Sequence, residues 1–232
     1  MSNGAQSQND VAGSATLIWH PPVAAMAIAT AVIGGGIGPR SWWLNTTVDA
    51  TFHDDPTDHL LEVAASAGLT GQGVAMMTAV DVNLNCSATD DGVEAIATVG
   101  VGWPTWAADA EEAPNPYGPG TINICVWSPV RLAEGALVNA VSTVAEAKAQ
   151  ALIEHGVPGT GTASDALCVF CPLDGPAEPY AGPRSLWGAR IARAVHRVVS
   201  DGLKLDVQHA AANSRSREVR VGDGHSHLRR PT

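Results

Sequence analysis

Two threonine-bearing segments carry residue types that acyl-transfer chemistry requires. The segment PGTINI (119–124) offers the Thr121 hydroxyl and the Asn123 amide. The segment GTGTASD (159–165) offers two further threonines and ends on the carboxylate of Asp165. Glycines in such loops let backbone N–H groups approach an oxyanion closely, so a nucleophile, oxyanion donors and a base could meet here. The alternative is structural, because threonine and aspartate often close turns by bonding to local backbone.

A cation lies where it could serve these loops. At about 100° per residue, Lys148 falls within the apolar stripe that contains Leu137 and Val144. Glu146 falls on the opposite, polar side of the same predicted helix. A lysine on an apolar stripe either extends its ammonium outward along its own stem or is buried with a partner, since an unpaired buried charge is costly. For the buried case, Asp165 is the predicted partner.

The scaffold that positions these segments is predicted to be one α/β domain of the α+β type, with a mixed, largely antiparallel β-sheet and packed helices. Apolar alternation and turn residues predict strands near 15–19, 23–33, 41–48, 73–77, 81–89, 93–101, 121–127 and 166–171. Apolar spacing and start signals predict helices near 56–67, 131–155 and 183–200. The turn signal at 90–92 (DDG) predicts an antiparallel hairpin.

Two clusters resemble metal sites but favour other interpretations. In HDDPTDH (53–59), Asp55 precedes Pro56 as an N-cap precedes the first residue of a helix. Cys168 and Cys171 form a CxxC pair, but residues three apart in a strand face opposite sides of the sheet. We therefore expect no metal site.

Composition and charge bound the domain organisation. The 232 residues are 45% apolar, which suits one domain, predicted at 15–205 between a disordered N-terminus (1–14) and a disordered basic tail (206–232). The net charge of −10 argues against a nucleic-acid partner. The apolar run 23–33 is too short for a bilayer, which takes about 20 residues, and 1–14 lacks the basic residues of a signal peptide. We expect a cytoplasmic protein without a membrane partner.

Separated segments share a specific order and spacing. They are ATAVIGGGIG (29–38), MTAVDV (77–82), ATVGVG (97–102), PGTINI (119–124), ALVNAVSTVAEAKAQAL (136–152), GTGTASDA (159–166) and YAGPRSLWGARIARAV (180–195). Together they resemble the adenosylcobinamide amidohydrolase (CbiZ) family from about residue 24 to residue 199. The resemblance implies cleavage of the aminopropanol amide of adenosylcobinamide to adenosylcobyric acid, a corrinoid-salvage step in cobalamin biosynthesis. It implies no separate cofactor, because cobalt enters within the corrinoid substrate.

The resemblance also marks polar positions. Those that match the family are Asn45, Thr78, Thr98, Thr121, Asn123, Glu146, Lys148, Thr160, Thr162 and Asp165. Our hypothesis for catalysis is that Asp165 acts as base or orients the nucleophile, and that Thr162 or a water attacks. Asn123 with loop amides would hold the oxyanion, and Lys148 would supply positive charge or a proton.

Several further positions are expected to contact substrate. A large amphipathic corrinoid needs a broad, partly aromatic cleft, although core packing would equally explain tryptophans. The aromatic candidates are Trp42, Trp43, Trp103 and Trp106, and the polar ones are Asn45, Thr78, Thr121, Thr160 and Glu146. Two other functions stay open: a corrinoid-binding protein without hydrolysis, and a threonine-type amidohydrolase acting on another amide. The sequence does not fix the oligomeric state.

Overall fold

The computed structural model describes residues 6–9, 15–109 and 120–223, which form ten strands and three α-helices. The strands are β1 (Gln6–Asn9), β2 (Ala15–Trp19), β3 (Ala25–Ala29), β4 (Gly36–Arg40), β5 (Trp43–Thr47), β6 (Val74–Thr78), β7 (Cys86–Asp90), β8 (Val93–Val99), β9 (Ile122–Trp127) and β10 (Ala166–Pro172). The helices are α1 (Pro56–Ser66), α2 (Glu134–Glu154) and α3 (Leu186–Asp223). One sheet has the order β1-β2-β5-β6 and the other β4-β3-β10-β9-β8-β7.

The two sheets stack face to face between helices, giving four layers. Helix α1 buries Leu60 against the outer face of the four-stranded sheet. Trp43 and Phe170 lie in the apolar layer between the sheets. Helices α2 and α3 cover the far face of the six-stranded sheet, where Ile124 and Ile191 belong to the largest apolar cluster. The central strands are therefore buried on both faces, which is why their sequences read as continuous apolar runs.

Strand pairing is mixed and largely antiparallel, as predicted. Only the β5–β6 and β9–β10 pairs are parallel among the described strands. In the second pair, Asn123 is in register with Ala166, and α2 makes the crossover between the two strands. Parallel strands begin at the same edge of a sheet, so the segments before β9 and β10 lie side by side. This topology brings together the two threonine-bearing segments.

Three local predictions are confirmed. The DDG hairpin joins β7 and β8, with positive φ at Asp91 (50°) and Gly92 (95°). Asp55 caps α1, because its Oδ1 accepts hydrogen bonds from the backbone nitrogens of residues 57 (2.7 Å) and 58 (3.2 Å). Cys168 faces the layer between the sheets and Cys171 faces the helices, so the CxxC thiols lie on opposite faces of β10.

The predicted strand at 23–33 and the one at 81–89 differ from the structure. Strand β3 ends at residue 29, and a turn with positive φ at Gly34 (75°) and Gly36 (79°) leads into β4, which was not predicted. Its sequence, GIGPR, is rich in residues that strands disfavour, and β4 is tolerated because it lies at the sheet edge. The segment 81–89 divides into a 3₁₀ turn (Val82–Leu84) and β7.

Both predicted disordered ends contain regular structure. Residues 6–9 form β1 by backbone pairing with β2. Backbone pairing does not require apolar alternation, so the sequence pattern did not predict this strand. Helix α3 continues past residue 205 to Asp223. Within it, Gly202 packs against β8, since a Cβ there would lie 2.5 Å from Cγ2 of Val99. None of the helices in the described part of the chain combines the length and apolarity needed to cross a membrane.

Candidate functional site

The carboxylate of Asp165 joins both threonine-bearing segments to α2. Its Oδ1 accepts hydrogen bonds from the backbone nitrogen of Ile122 (2.9 Å) and from Oγ1 of Thr162 (2.5 Å). Its Oδ2 accepts from the backbone nitrogen of Thr162 (3.0 Å) and from Nζ of Lys148. The two charged side chains are only 14% (Lys148) and 13% (Asp165) exposed. The predicted ion pair is therefore present, and the site is organised around it.

Gly161 makes room for this ion pair. A Cβ at residue 161 would overlap Oδ2 of Asp165 and lie 2.6 Å from Nζ of Lys148. Real Cβ atoms essentially never approach other heavy atoms so closely. The glycine before Thr162 thus lets the loop backbone pass directly over the paired charges.

The hydroxyl of Thr162 has the geometry of a nucleophile beside a base. It is half-buried, and it donates to a carboxylate oxygen that is held in place from the other side by a lysine and by backbone N–H groups. Nucleophile, base and orienting group in hydrogen-bond contact form the arrangement on which covalent acyl transfer depends. Each oxygen of Asp165 accepts two hydrogen bonds, and the proton of Thr162 can pass to Oδ1 along the hydrogen bond that already joins them.

A second pair of hydroxyls lies across the same two loops. Oγ of Ser164 is 2.8 Å from Oγ1 of Thr121 and 3.4 Å from the carbonyl oxygen of Gly120. Thr121 is 7% exposed, whereas Ser164 is exposed. Ser164 was not among the predicted site residues, although its position directly before Asp165 could have indicated it. The pair thus consists of an accessible hydroxyl, on Ser164, in hydrogen-bond contact with a buried one, on Thr121.

Residues 103–107, which include Trp103 and Trp106, form a loop that we call the tryptophan loop. This loop is hydrogen-bonded to the GTGTASD segment. The backbone nitrogen of Thr105 donates to the carbonyl of Gly161 (2.8 Å), and the nitrogen of Thr160 donates to the carbonyl of Thr105 (2.8 Å). Oγ1 of Thr160 accepts from the nitrogen of Ala107 (3.1 Å), so this hydroxyl anchors the tryptophan loop. Gly159 is needed for the contact, since a Cβ there would lie 2.7 Å from the carbonyl oxygen of Thr105.

The four tryptophan candidates divide into two classes. Trp42 and Trp43 are 5% and 0% exposed and belong to the core. Trp103 and Trp106 are 39% and 48% exposed. Large aromatic surface left exposed beside reactive groups is typical of a ligand-contacting edge. The structure thus retains Trp103 and Trp106 as candidates and places Trp42 and Trp43 in structural roles.

A buried amide network lies between the sheets. Nδ2 of Asn45 donates to Oγ1 of Thr98 (3.0 Å), and Nδ2 of Asn123 donates to Oδ1 of Asn45 (2.8 Å) and to the carbonyl of Met77 (3.0 Å). Asn45, Thr98 and Asn123 are each 0% exposed. Both amide hydrogens of Asn123 are therefore used inside the protein, and holding an oxyanion would require one to be freed. The structure places this network beneath the site, away from solvent.

Two further predicted contact residues lie apart from the ion pair. Oγ1 of Thr78, which is 1% exposed, accepts a hydrogen bond from the backbone nitrogen of Val80 (3.1 Å) and closes the turn after β6. Glu146 is exposed on α2, about 200° around the helix from Lys148. The structure brings neither side chain into hydrogen-bond contact with Asp165.

Comparison with known proteins identifies the family of this chain. The profile described as adenosylcobinamide amidohydrolase matches residues 2–211. A Methanosarcina mazei protein named adenosylcobinamide amidohydrolase is 33% identical over 184 residues, covering 75% of this chain and 88% of the relative. A Halobacterium salinarum protein of the same name is 38% identical over 105 residues, covering 45% and 42%. A crystal structure of a Pyrococcus horikoshii protein aligns with a TM-score of 0.46 at 12% identity, over 86% of this chain and 79% of that one. The chain belongs to the adenosylcobinamide amidohydrolase family.

Proposed function

We propose that this protein hydrolyses the amide that joins aminopropanol to the corrinoid of adenosylcobinamide, giving adenosylcobyric acid. The observation that carries the proposal is the 2.5 Å hydrogen bond from Oγ1 of Thr162 to Oδ1 of Asp165, in a carboxylate also bound by Lys148. Hydrolysis of an amide needs such an activated oxygen nucleophile. Both relatives are named adenosylcobinamide amidohydrolase, which supports the same substrate here.

The first half-reaction would use all three side chains. Oγ1 of Thr162 attacks the amide carbon, and its proton passes to Asp165. The tetrahedral oxyanion forms beside the ammonium of Lys148 and the loop N–H groups, which lower its energy. Collapse breaks the C–N bond, the proton held by Asp165 goes to the leaving nitrogen, and aminopropanol departs. The corrinoid side chain is left as an ester on Thr162.

The second half-reaction restores the enzyme. Water gives a proton to Asp165 while its oxygen attacks the ester carbon. The C–O bond to Thr162 then breaks, and Oγ1 of Thr162 regains its proton from Asp165. The sum is amide plus water giving acid plus amine. Direct attack by a water held by Asp165 gives the same products without the ester, and a Thr162→Ala variant separates the two routes because only the direct route survives it.

Substrate recognition would use the exposed surface of the tryptophan loop. Trp103 and Trp106 offer flat apolar rings to the corrin, and the loop is held against the GTGTASD segment by the hydrogen bonds of Thr105 and Thr160. The hydroxyls of Thr121 and Ser164 would bind polar side chains of the corrinoid. We place the reaction in the cytoplasm, as a salvage step that uses no cofactor besides the cobalt within the substrate.

The proposal is tested by incubating the purified protein with adenosylcobinamide and separating the corrinoids by chromatography. Formation of adenosylcobyric acid with an equal amount of free aminopropanol supports it. Tight binding without cleavage would instead make the protein a corrinoid carrier or sensor. Cleavage of other amides but not of adenosylcobinamide would make it a threonine-type amidohydrolase of different specificity.

A further inference from the structure

A cleft of about 510 Å³ lies between α2 and α3, separate from the site around Asp165. Gln150 of α2 and the C-cap residue His155 form one side, and the α3 residues Arg193, Arg197, Ser200 and Lys204 are prominent on the other. The cleft shares no lining residue with the ion pair or with the two threonine-bearing segments. Nothing in the proposed amide hydrolysis uses it.

Positive charge is concentrated in this cleft, although the chain as a whole carries −10. Eight Lys and Arg residues precede residue 213, and three of the eight line the cleft with a single carboxylate, Asp201. Two further carboxylates lie next to the cleft, Asp90 on Arg193 and Glu154 on His196, so attraction for a small anion depends on the cation that has no carboxylate partner.

The three cations are not equally neutralised. Arg193 binds Asp90 through two hydrogen bonds of 2.8 and 2.7 Å, and Nζ of Lys204 binds Asp201 at 2.9 Å. Arg197 instead donates to the carbonyl oxygen of residue 89 (2.9 Å) and forms no ion pair within the described ranges. Arg197 acts on Asp90 only through longer-range electrostatics, so its remaining N–H groups can bind an oxyanion.

A buried hydroxyl at the wall of the cleft also lacks a partner. Ser200 is 8% exposed, and its Oγ has no hydrogen-bond partner among the described residues. A buried hydroxyl without a hydrogen-bond partner is destabilising. In a native structure such a group calls for an explanation, and a ligand that supplies the missing hydrogen bond is one. Ser200 lines the cleft, and its χ1 has three staggered rotamers, so a ligand in the cleft is the nearest group that a reoriented hydroxyl could bind.

We propose that this cleft binds a small oxyanion of the phosphate class, as inorganic phosphate or as a phosphate monoester. Phosphate oxygens accept several charge-assisted hydrogen bonds at once, which matches the free N–H groups of Arg197 and Lys204 and the hydroxyl of Ser200. The cleft volume exceeds that of a bare phosphate ion, which leaves room for an esterified group. This inference is independent of the proposed amide hydrolysis.

Isothermal titration calorimetry at fixed ionic strength tests it, with inorganic phosphate, glycerol phosphate and sodium chloride as titrants. We expect saturable heat with one or both phosphates but none with chloride, and an approximately tenfold weaker Kd in Arg197→Gln, since one charge-assisted hydrogen bond is worth about that factor. Lys204→Gln should also weaken binding. Arg184→Gln, which removes the same charge from an exposed position outside the cleft, should leave Kd unchanged.

Ser200→Ala separates a ligand contact from a structural role. It should weaken phosphate binding without lowering the melting temperature of the unliganded protein, because the hydroxyl has no partner to lose. Stronger binding of glycerol phosphate would identify a phosphorylated metabolite as the ligand, and stronger binding of phosphate the free ion. Equal affinity in Arg197→Gln, Lys204→Gln and Arg184→Gln, or no heat beyond that of sodium chloride, would overturn the proposal.

Discussion

Replacing Gly161 by alanine adds a single methyl group at the point where the ion pair is most crowded. The new Cβ would overlap Oδ2 of Asp165 and lie 2.6 Å from Nζ of Lys148. Lysine is flexible, but its movement cannot relieve the overlap with Oδ2, so the Asp165 carboxylate or the loop must also shift and disturb the hydrogen bonds to the backbone nitrogens of Ile122 and Thr162. Overpacking of this kind costs about 1–3 kcal/mol, and loss of the orienting contact at a reacting group costs on the order of 10²-fold in rate.

Gly135→Ala is the matched control, because a Cβ at this exposed position of α2 meets nothing within 4 Å. Alanine is favoured over glycine within a helix, and residue 135 lies in the first turn of α2, so we expect the control to be at least as stable as wild type. Urea denaturation gives the stabilities, and kcat/KM for adenosylcobinamide gives the rates. If Gly161→Ala matched Gly135→Ala in both measurements, the inference that the loop backbone must pass closely over the ion pair would be wrong.

Four further changes probe the site and the scaffold. Lys148→Met should lower kcat/KM at least tenfold through loss of the orienting charge, and full turnover would disprove a catalytic role for the lysine. Thr162→Ala should abolish turnover while Thr162→Ser keeps part of it; equal rates in the two variants would favour direct attack by water. Adenosylcobinamide should quench tryptophan emission in wild type but less in a Trp103→Leu, Trp106→Leu double variant, and no change on titration would remove these rings from the site. The Arg193 guanidinium, hydrogen-bonded to Asp90, lowers the pKa of that carboxyl from its ordinary value of 3.8, so the stability it contributes is present above that value and is lost as the pH falls through the folded pKa. The urea midpoints of wild type and Asp90→Asn should differ at pH 7 and converge as the pH falls below 3.8, and a constant difference would contradict this.

Local sequence signals predicted the elements that depend on near neighbours. The angular position of Lys148 around α2 was sufficient to predict that its side chain lies on the apolar side of the helix. This works because α2 packs one face against the sheet, and the angle of each residue can be compared with that face. The N-cap at Asp55 and the DDG hairpin follow equally from residues within four positions of each other. The pairing of Lys148 with Asp165 could be inferred because burial of the ammonium requires a partner.

Features that depend on distant strands could not be predicted in the same way. All six residues of β9 are buried, so alternation does not show which face of that strand meets the second sheet or that Asn123 points into it. The contact of Ser164 with Thr121 depends on the parallel register of β9 and β10, which no local pattern specifies. The division of the strands into two sheets likewise depends on pairing between segments far apart in sequence.

Turnover of adenosylcobinamide by wild type and by Asp165→Asn tests the central claim most directly. The amide retains the size of the side chain but replaces an acceptor by a donor in a position where Ile122, Thr162 and Lys148 all donate. We expect wild type to release aminopropanol and form adenosylcobyric acid, and the variant to lose on the order of 10³-fold or more in kcat/KM. No product from wild type, or undiminished turnover in Asp165→Asn, would contradict the account of this site as an amidohydrolase centre built on Asp165.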